Sequence, residues 1–141
     1  MILAAGAKLG RYEIVSPLGA GGMGEVYRAR DTRLGREVAI KLLRAPLSSD
    51  HEQKERFERE ARSISQLAHP HVCTLHDVGC DAGVDFLVME LLQGQTLAER
   101  VAKGPLSTDE VLAVGAQIAS GLAAAHRHGI VHRDLKPANV C

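Results

Sequence analysis

The chain is 141 residues long, the size of one modest domain, and its 45% apolar content sets it apart from disordered chains. Seventeen basic and seventeen acidic side chains cancel, which excludes nucleic-acid binding driven by bulk charge. Three cysteines are an odd, sparse set that excludes a disulfide framework, and no apolar run approaches the ~18 residues of a membrane span.

The opening "MILAAGAKLG" has a short apolar run with no basic residue before it, so it reads as an N-terminal extension (1–10) and not as a signal peptide. A reducing, cytoplasmic setting is expected. "RYEIVSPL" (11–18) and "EVYRARD" (25–31) alternate or carry β-branched and aromatic residues, and both predict strands. Between them, in "LGAGGMGEVYRA", Gly19, Gly21 and Gly24 have the spacing G-x-G-x-x-G, with Gly22 in addition. A Rossmann site needs a helix after the glycines, and a Walker loop needs G-K-[ST]. Here Gly24 is followed by Glu25-Val26 and a period-2 segment, so both fail. What remains is a glycine-rich hairpin whose backbone N–H groups can approach phosphate oxygens closely.

A third strand, "REVAIKLL" (36–43), follows the turn "TRLG" (32–35). Alternation sets Ala39 and Lys41 on one face, with Val38 and Ile40 on the other, so the Lys41 ammonium is expected to be partly buried and to need anions. After the loop "APLSSD" (45–50), residues 51–68 predict a helix with Phe57, Ala61, Ile64, Leu67 and Ala68 on one stripe. Glu60 lies near that stripe. A half-buried carboxylate without a cation costs several kcal/mol, so an ion pair between Glu60 and Lys41 is expected.

"HPH" (69–71) predicts a turn, "VCTLHDV" (72–78) and "VDFLVMELL" (84–92) two strands, and "GCDAG" (79–83) the turn between them. "TLAERVAKG" predicts a short helix closed by Gly104-Pro105. "STDE" (107–110) is a capping box opening a longer helix that stops at Gly129. No helix separates the first two strands, so the early sheet must be antiparallel. His69, His71, Cys73, His76 and Cys80 raise a zinc alternative, but alternation sets His71 and Cys73 on one side and His76 on the other.

"VHRDLKPAN" supplies a carboxylate at Asp134 to accept a hydroxyl proton, an ammonium at Lys136 to neutralise a transferring phosphoryl group, and an amide oxygen at Asn139 for Mg²⁺.

From about residue 11 onward the chain resembles the eukaryotic-like (Hanks-type) serine/threonine protein kinases of bacteria, through "LGAGGMGEVYRA", "VAIK", "RFEREARSISQLAHPHV", "FLVMELLQGQTL" and "HRDLKPAN". The resemblance implies an α+β protein-kinase-like fold. It would have a five-stranded antiparallel N-lobe sheet with one docked helix (11–92, hinge included), then the first helices of an α-helical C-lobe (93–141). It implies that Leu18, Gly19, Ala20, Gly21, Gly22, Met23 and Gly24 cover the phosphates of ATP and that Val26 and Ala39 contact the adenine. Lys41 would hold the α- and β-phosphates, tethered by Glu60. Met89 would be the gatekeeper, and the backbone of Glu90 to Leu92 the hinge that reads the adenine edge. Asp134 would be the catalytic base and Asn139 a Mg²⁺ ligand. Lys136 is what serine/threonine kinases carry at this position, so protein Ser and Thr hydroxyls are the implied substrates. The family's next motif, Asp-Phe-Gly, and its activation loop are absent from these residues. The 141 residues alone are therefore expected not to turn over, and the alternative is a catalytically inactive nucleotide-binding or regulatory remnant.

Overall fold

The computed structural model describes residues 3–21, 24–43, 51–133 and 135–141. Two compact units are formed, one from Met1–Ser65 with Thr74–Leu91, the other from Gln66–Cys73 with Leu92–Cys141.

The first unit is an antiparallel sheet with one helix. Its strands are β1 (Lys8–Leu9), β2 (Tyr12–Gly21), β3 (Gly24–Asp31), β4 (Arg36–Leu42), β5 (Leu75–Asp81) and β6 (Val84–Glu90), in spatial order β1-β2-β3-β4-β6-β5. Helix α1 (His51–Ser65) lies between β4 and β5 in sequence. The sheet has six strands where the sequence predicts five. The extra one comes from the N-terminal extension: Gly10 turns at φ 55, and Lys8 and Leu9 pair with Glu13 and Tyr12. Burying Leu9 in the core stabilises this two-residue strand.

Alternation along β2, β3, β4 and β6 sends Tyr12, Ile14, Tyr27, Ala29, Val38, Ile40, Leu42, Phe86 and Val88 to one face, where they form the core with Leu9. The sheet curls so that its far edges meet. The Gly10 N–H donates to Asp81 Oδ2 (2.7 Å), the Tyr12 hydroxyl donates to Asp77 (3.0 Å), and Tyr12 meets Phe86 edge-on at 6.1 Å. Asp31 is fully buried and earns its place by accepting the N–H groups of Arg33 and Leu34 at the β3–β4 turn, with Arg11 Nε at 3.5 Å. The β5–β6 turn is tighter than predicted. Ala82 and Gly83, both at positive φ, form a two-residue connection whose twist matches the strands, so β5 runs on through Gly79 to Asp81. Strand β5 also starts later than predicted, at Leu75, and α1 ends at Ser65 rather than 68.

The second unit holds α2 (Leu97–Ala102), α3 (Thr108–Arg127) and a 3-10 turn at Pro137–Asn139. Both helices open on capping boxes, the predicted Ser107/Glu110 and a second one, Thr96/Glu99. The backbone N–H groups they donate hold the Glu99 and Glu110 carboxyls below the usual carboxylate range. The segment 66–73 packs on α3. His69 accepts the His71 N–H at Nδ1 and meets Ser120 Oγ through Nε2 (3.1 Å). A Cβ at Gly121 would sit 2.7 Å from the His71 carbonyl oxygen, so only glycine permits this approach.

Only Gly121 and Ala124 of α3 are buried, and Val111 and Leu112 stand exposed. Local stability follows buried apolar contact. Amide exchange in α3 is therefore expected to run faster than in β3 and β4, as read by hydrogen-exchange mass spectrometry. Equal protection of α3 and the sheet would contradict this.

Candidate functional site

The glycine-rich segment is a hairpin between β2 and β3, as its strand-like flanks predict. Gly19 pairs with Val26, Ala20 with Glu25, and Gly21 with Gly24. Register shifts interrupt β2 between Ile14 and Ser16 and between Pro17 and Gly19, where a proline cannot donate to the ladder. Gly24 holds φ 146, and a Cβ there would lie 2.0 Å from the Leu42 carbonyl oxygen. The hairpin thus rests on the end of β4, and Gly24 is what lets it do so. Leu18 is 53% exposed on β2. Gly22, Met23 and the side chain at 20 lie outside the described residues, as does Asp134.

Cross-strand register then gathers the predicted residues. Val26 pairs with Lys41, Lys41 with Leu87, and Ala39 with Met89. Directly opposed residues share a face, so Val26, Ala39, Lys41, Leu87 and Met89 form one apolar patch with a single ammonium in it. The core-facing side of the same strands is sealed. On the opposite side, that of the patch, Val26, Lys41, Leu87 and Met89 are only half-buried, with Ala39 buried between them. A second cation on this face, Arg28, is committed to Glu37 at 2.6 and 2.7 Å, which raises its pKa. Glu90 ends β6, its N–H donating to the Thr74 carbonyl (2.9 Å); Leu92 is 44% exposed.

The expected Lys41–Glu60 ion pair is not made. Glu60 is exposed on α1, and its carboxylate faces Arg56 one turn earlier (3.4 Å). Among the described residues Lys41 pairs with no carboxylate. The buried position on this helix is Ala61, with Phe57 and Ile64 half-buried beside it, which leaves Glu60 turned to solvent. Desolvating both charges costs more than a solvated i,i+4 contact with Arg56.

In the second unit, Lys136 precedes the 3-10 turn that Asn139 closes, and the Asn139 N–H donates to the Lys136 carbonyl (2.9 Å). The Leu97 N–H donates to the Val140 carbonyl (2.7 Å), tying this segment to the start of α2. Arg133 holds a left-handed backbone, φ 65, beside Asp134. Such a conformation costs about 1–3 kcal/mol and persists only where surroundings over-determine it. Among the described residues no group of three His, Cys, Asp or Glu side chains could hold a metal ion, and no helix is long and apolar enough to cross a membrane.

Residues 12–141 match the protein kinase domain. The chain belongs to the protein kinase domain family. It is 47% identical over 132 residues to the serine/threonine-protein kinase PrkC of Bacillus subtilis, covering 93% of this chain and 20% of that protein. To the probable serine/threonine-protein kinase pknA2 of Bifidobacterium longum it is 47% identical over 135 residues, covering 93% and 18%. The crystal structure of the Mycobacterium tuberculosis PknI kinase domain, C20A mutant, superposes with a TM-score of 0.89 at 35% identity, covering 99% of this chain and 57% of that one. The chain thus spans about a fifth of the curated kinases it matches and little over half of a solved kinase domain. The α+β fold expected from the resemblance is the observed one, with a sixth strand added.

Proposed function

We propose that this chain is the ATP-binding portion of a serine/threonine protein kinase, an enzyme that moves the γ-phosphoryl group of ATP to a Ser or Thr hydroxyl of a protein. One observation carries the reading: Val26, Ala39, Lys41 and Met89 share a half-open apolar face that runs up to the glycine hairpin. A flat aromatic base suits the patch, with Met89 at its back and the Glu90–Leu92 backbone at its edge. Leu18 to Gly24 extend over the triphosphate, where Lys41 meets the α- and β-phosphates as a charge-assisted donor. Asp134 accepts the substrate hydroxyl proton and Lys136 neutralises charge on the transferred group. The amide oxygen of Asn139 and the phosphate oxygens suit Mg²⁺, which is usually held by few protein ligands besides phosphate. When bound, that ion supplies charge neutralisation to the transfer. The partners that follow are ATP and proteins presenting Ser or Thr, with no nucleic acid and no membrane segment within these residues. Three exposed cysteines, none of them in a disulfide, and the need for ATP fit a cytoplasmic setting.

Titration with a fluorescent ATP analogue, with and without Mg²⁺, tests binding, and unlabelled ATP is expected to displace it. Phosphate transfer to a generic basic protein, abolished in Lys41→Met and in Asp134→Asn, tests the enzyme. A second reading, a nucleotide-binding module without turnover, is favoured by the outward Glu60. It predicts displacement by ATP with no transfer, and a chain that binds no nucleotide contradicts both.

A further inference from the structure

The N-terminal residues do more than add a strand. From Leu3 to Leu9 they run along β2. The Gly6 N–H donates to the Ile14 carbonyl and the Ile14 N–H to the Ala7 carbonyl, both at 2.8 Å. Leu3 and Ala7 pack on the core. At its start this segment reaches β3: the Leu3 N–H donates to the Tyr27 hydroxyl (2.9 Å). The same hydroxyl donates to Glu25 Oε2 (2.5 Å). Tyr27 is 1% exposed, so its hydroxyl needs both partners. Glu25 is the residue after Gly24 and pairs with Ala20 inside the hairpin.

We propose that Tyr27 and Glu25 are positioning residues for the glycine hairpin, linked in a relay that ties the hairpin to the N-terminal segment. The inference rests on the nucleotide-binding reading above. Its physical ground is that the β2 arm leading into the hairpin is irregularly paired. Two register shifts and a proline interrupt β2 just before Gly19. The bond from the buried Tyr27 hydroxyl to Glu25 fixes the β3 arm from the core side, and the pairing of Glu25 with Ala20 passes that constraint to β2. The relay touches no nucleotide. It acts by holding the backbone N–H groups at the height where phosphate oxygens sit, so it bears on the phosphate part of the affinity and not on the adenine part.

The test compares ATP with adenosine on the 141-residue chain. Tyr27→Phe removes the hydroxyl. Glu25→Ala removes the acceptor of that hydroxyl and leaves the buried ring intact, which guards against a variant that merely fails to fold. Both are expected to weaken ATP binding by about three- to tenfold while adenosine affinity changes by less than about twofold. Glu25→Gln keeps an acceptor for the hydroxyl and is expected to stay near the parent. ATP and adenosine weakening together, or ATP affinity unchanged in both variants, would overturn the relay. A parent chain that binds adenosine but gains nothing from the phosphates would overturn it too. A parent chain that binds neither would overturn the nucleotide reading, and the relay with it.

Discussion

Replacing Gly24 with alanine is expected to unseat the hairpin, with a loss of about 2–4 kcal/mol in the stability of the sheet. Two costs combine. The residue sits at φ 146, where L side chains rarely go, and its Cβ would lie 2.0 Å from the Leu42 carbonyl oxygen. That oxygen belongs to a strand backbone, so it cannot swing aside as the end of a long side chain could. The tip of β3 must lift from β4, or the backbone at Gly24 must refold, and the Val26–Lys41 pairing loosens either way. Gly19→Ala is the control. Nothing lies within 4 Å of a Cβ at Gly19, so its cost is expected to stay within about 1 kcal/mol. Hydrogen exchange at Tyr27 and Ile40, paired across β3 and β4, reads the difference. Equal protection in the two variants would show that Gly24 is no more constrained than Gly19.

Lys41→Met is expected to lower ATP affinity by about ten- to a hundredfold, because charge-assisted hydrogen bonds to phosphate are worth about 1.5–3 kcal/mol. Methionine keeps the length and apolar stem of lysine, so the fold is expected to persist. Glu60→Gln is expected to leave ATP affinity unchanged, since that carboxylate is exposed and faces Arg56. Isothermal titration of the two variants separates the cases. If Glu60→Gln weakens ATP as much as Lys41→Met does, the ion pair forms in solution and the outward arrangement of Glu60 is not the resting one.

Local patterns were readable and long-range placement was not. The hairpin could be told from a Rossmann or Walker loop because period-2 sequence runs on both sides of the glycines. The shared face of Ala39 and Lys41 followed from strand alternation alone, and Ser107 with Glu110 announced α3. The strand at Lys8–Leu9 left no signal, since two residues show no period and their stability comes from Leu9 entering a core made elsewhere. Glu60 failed for a different reason. Spacing gives its angle around the helix axis relative to Phe57 and Ile64, but not how the helix is rotated against the sheet. Packing fixed that by burying Ala61 and leaving Glu60 outside. The bond from Leu3 to Tyr27 spans 24 positions and has no local signature.

The most direct test is to titrate MgATP into chain carrying isotope-labelled methyl groups. Val26, Ala39 and Met89 occupy one face of β3, β4 and β6, while Val38, Ile40 and Val88 occupy the other, sealed face of β4 and β6. Saturable shifts at Val26, Ala39 and Met89, with Val38, Ile40 and Val88 unmoved, are the predicted result. Shifts confined to Val38, Ile40 and Val88, or no shifts at millimolar nucleotide, would contradict the assignment of this face to ATP.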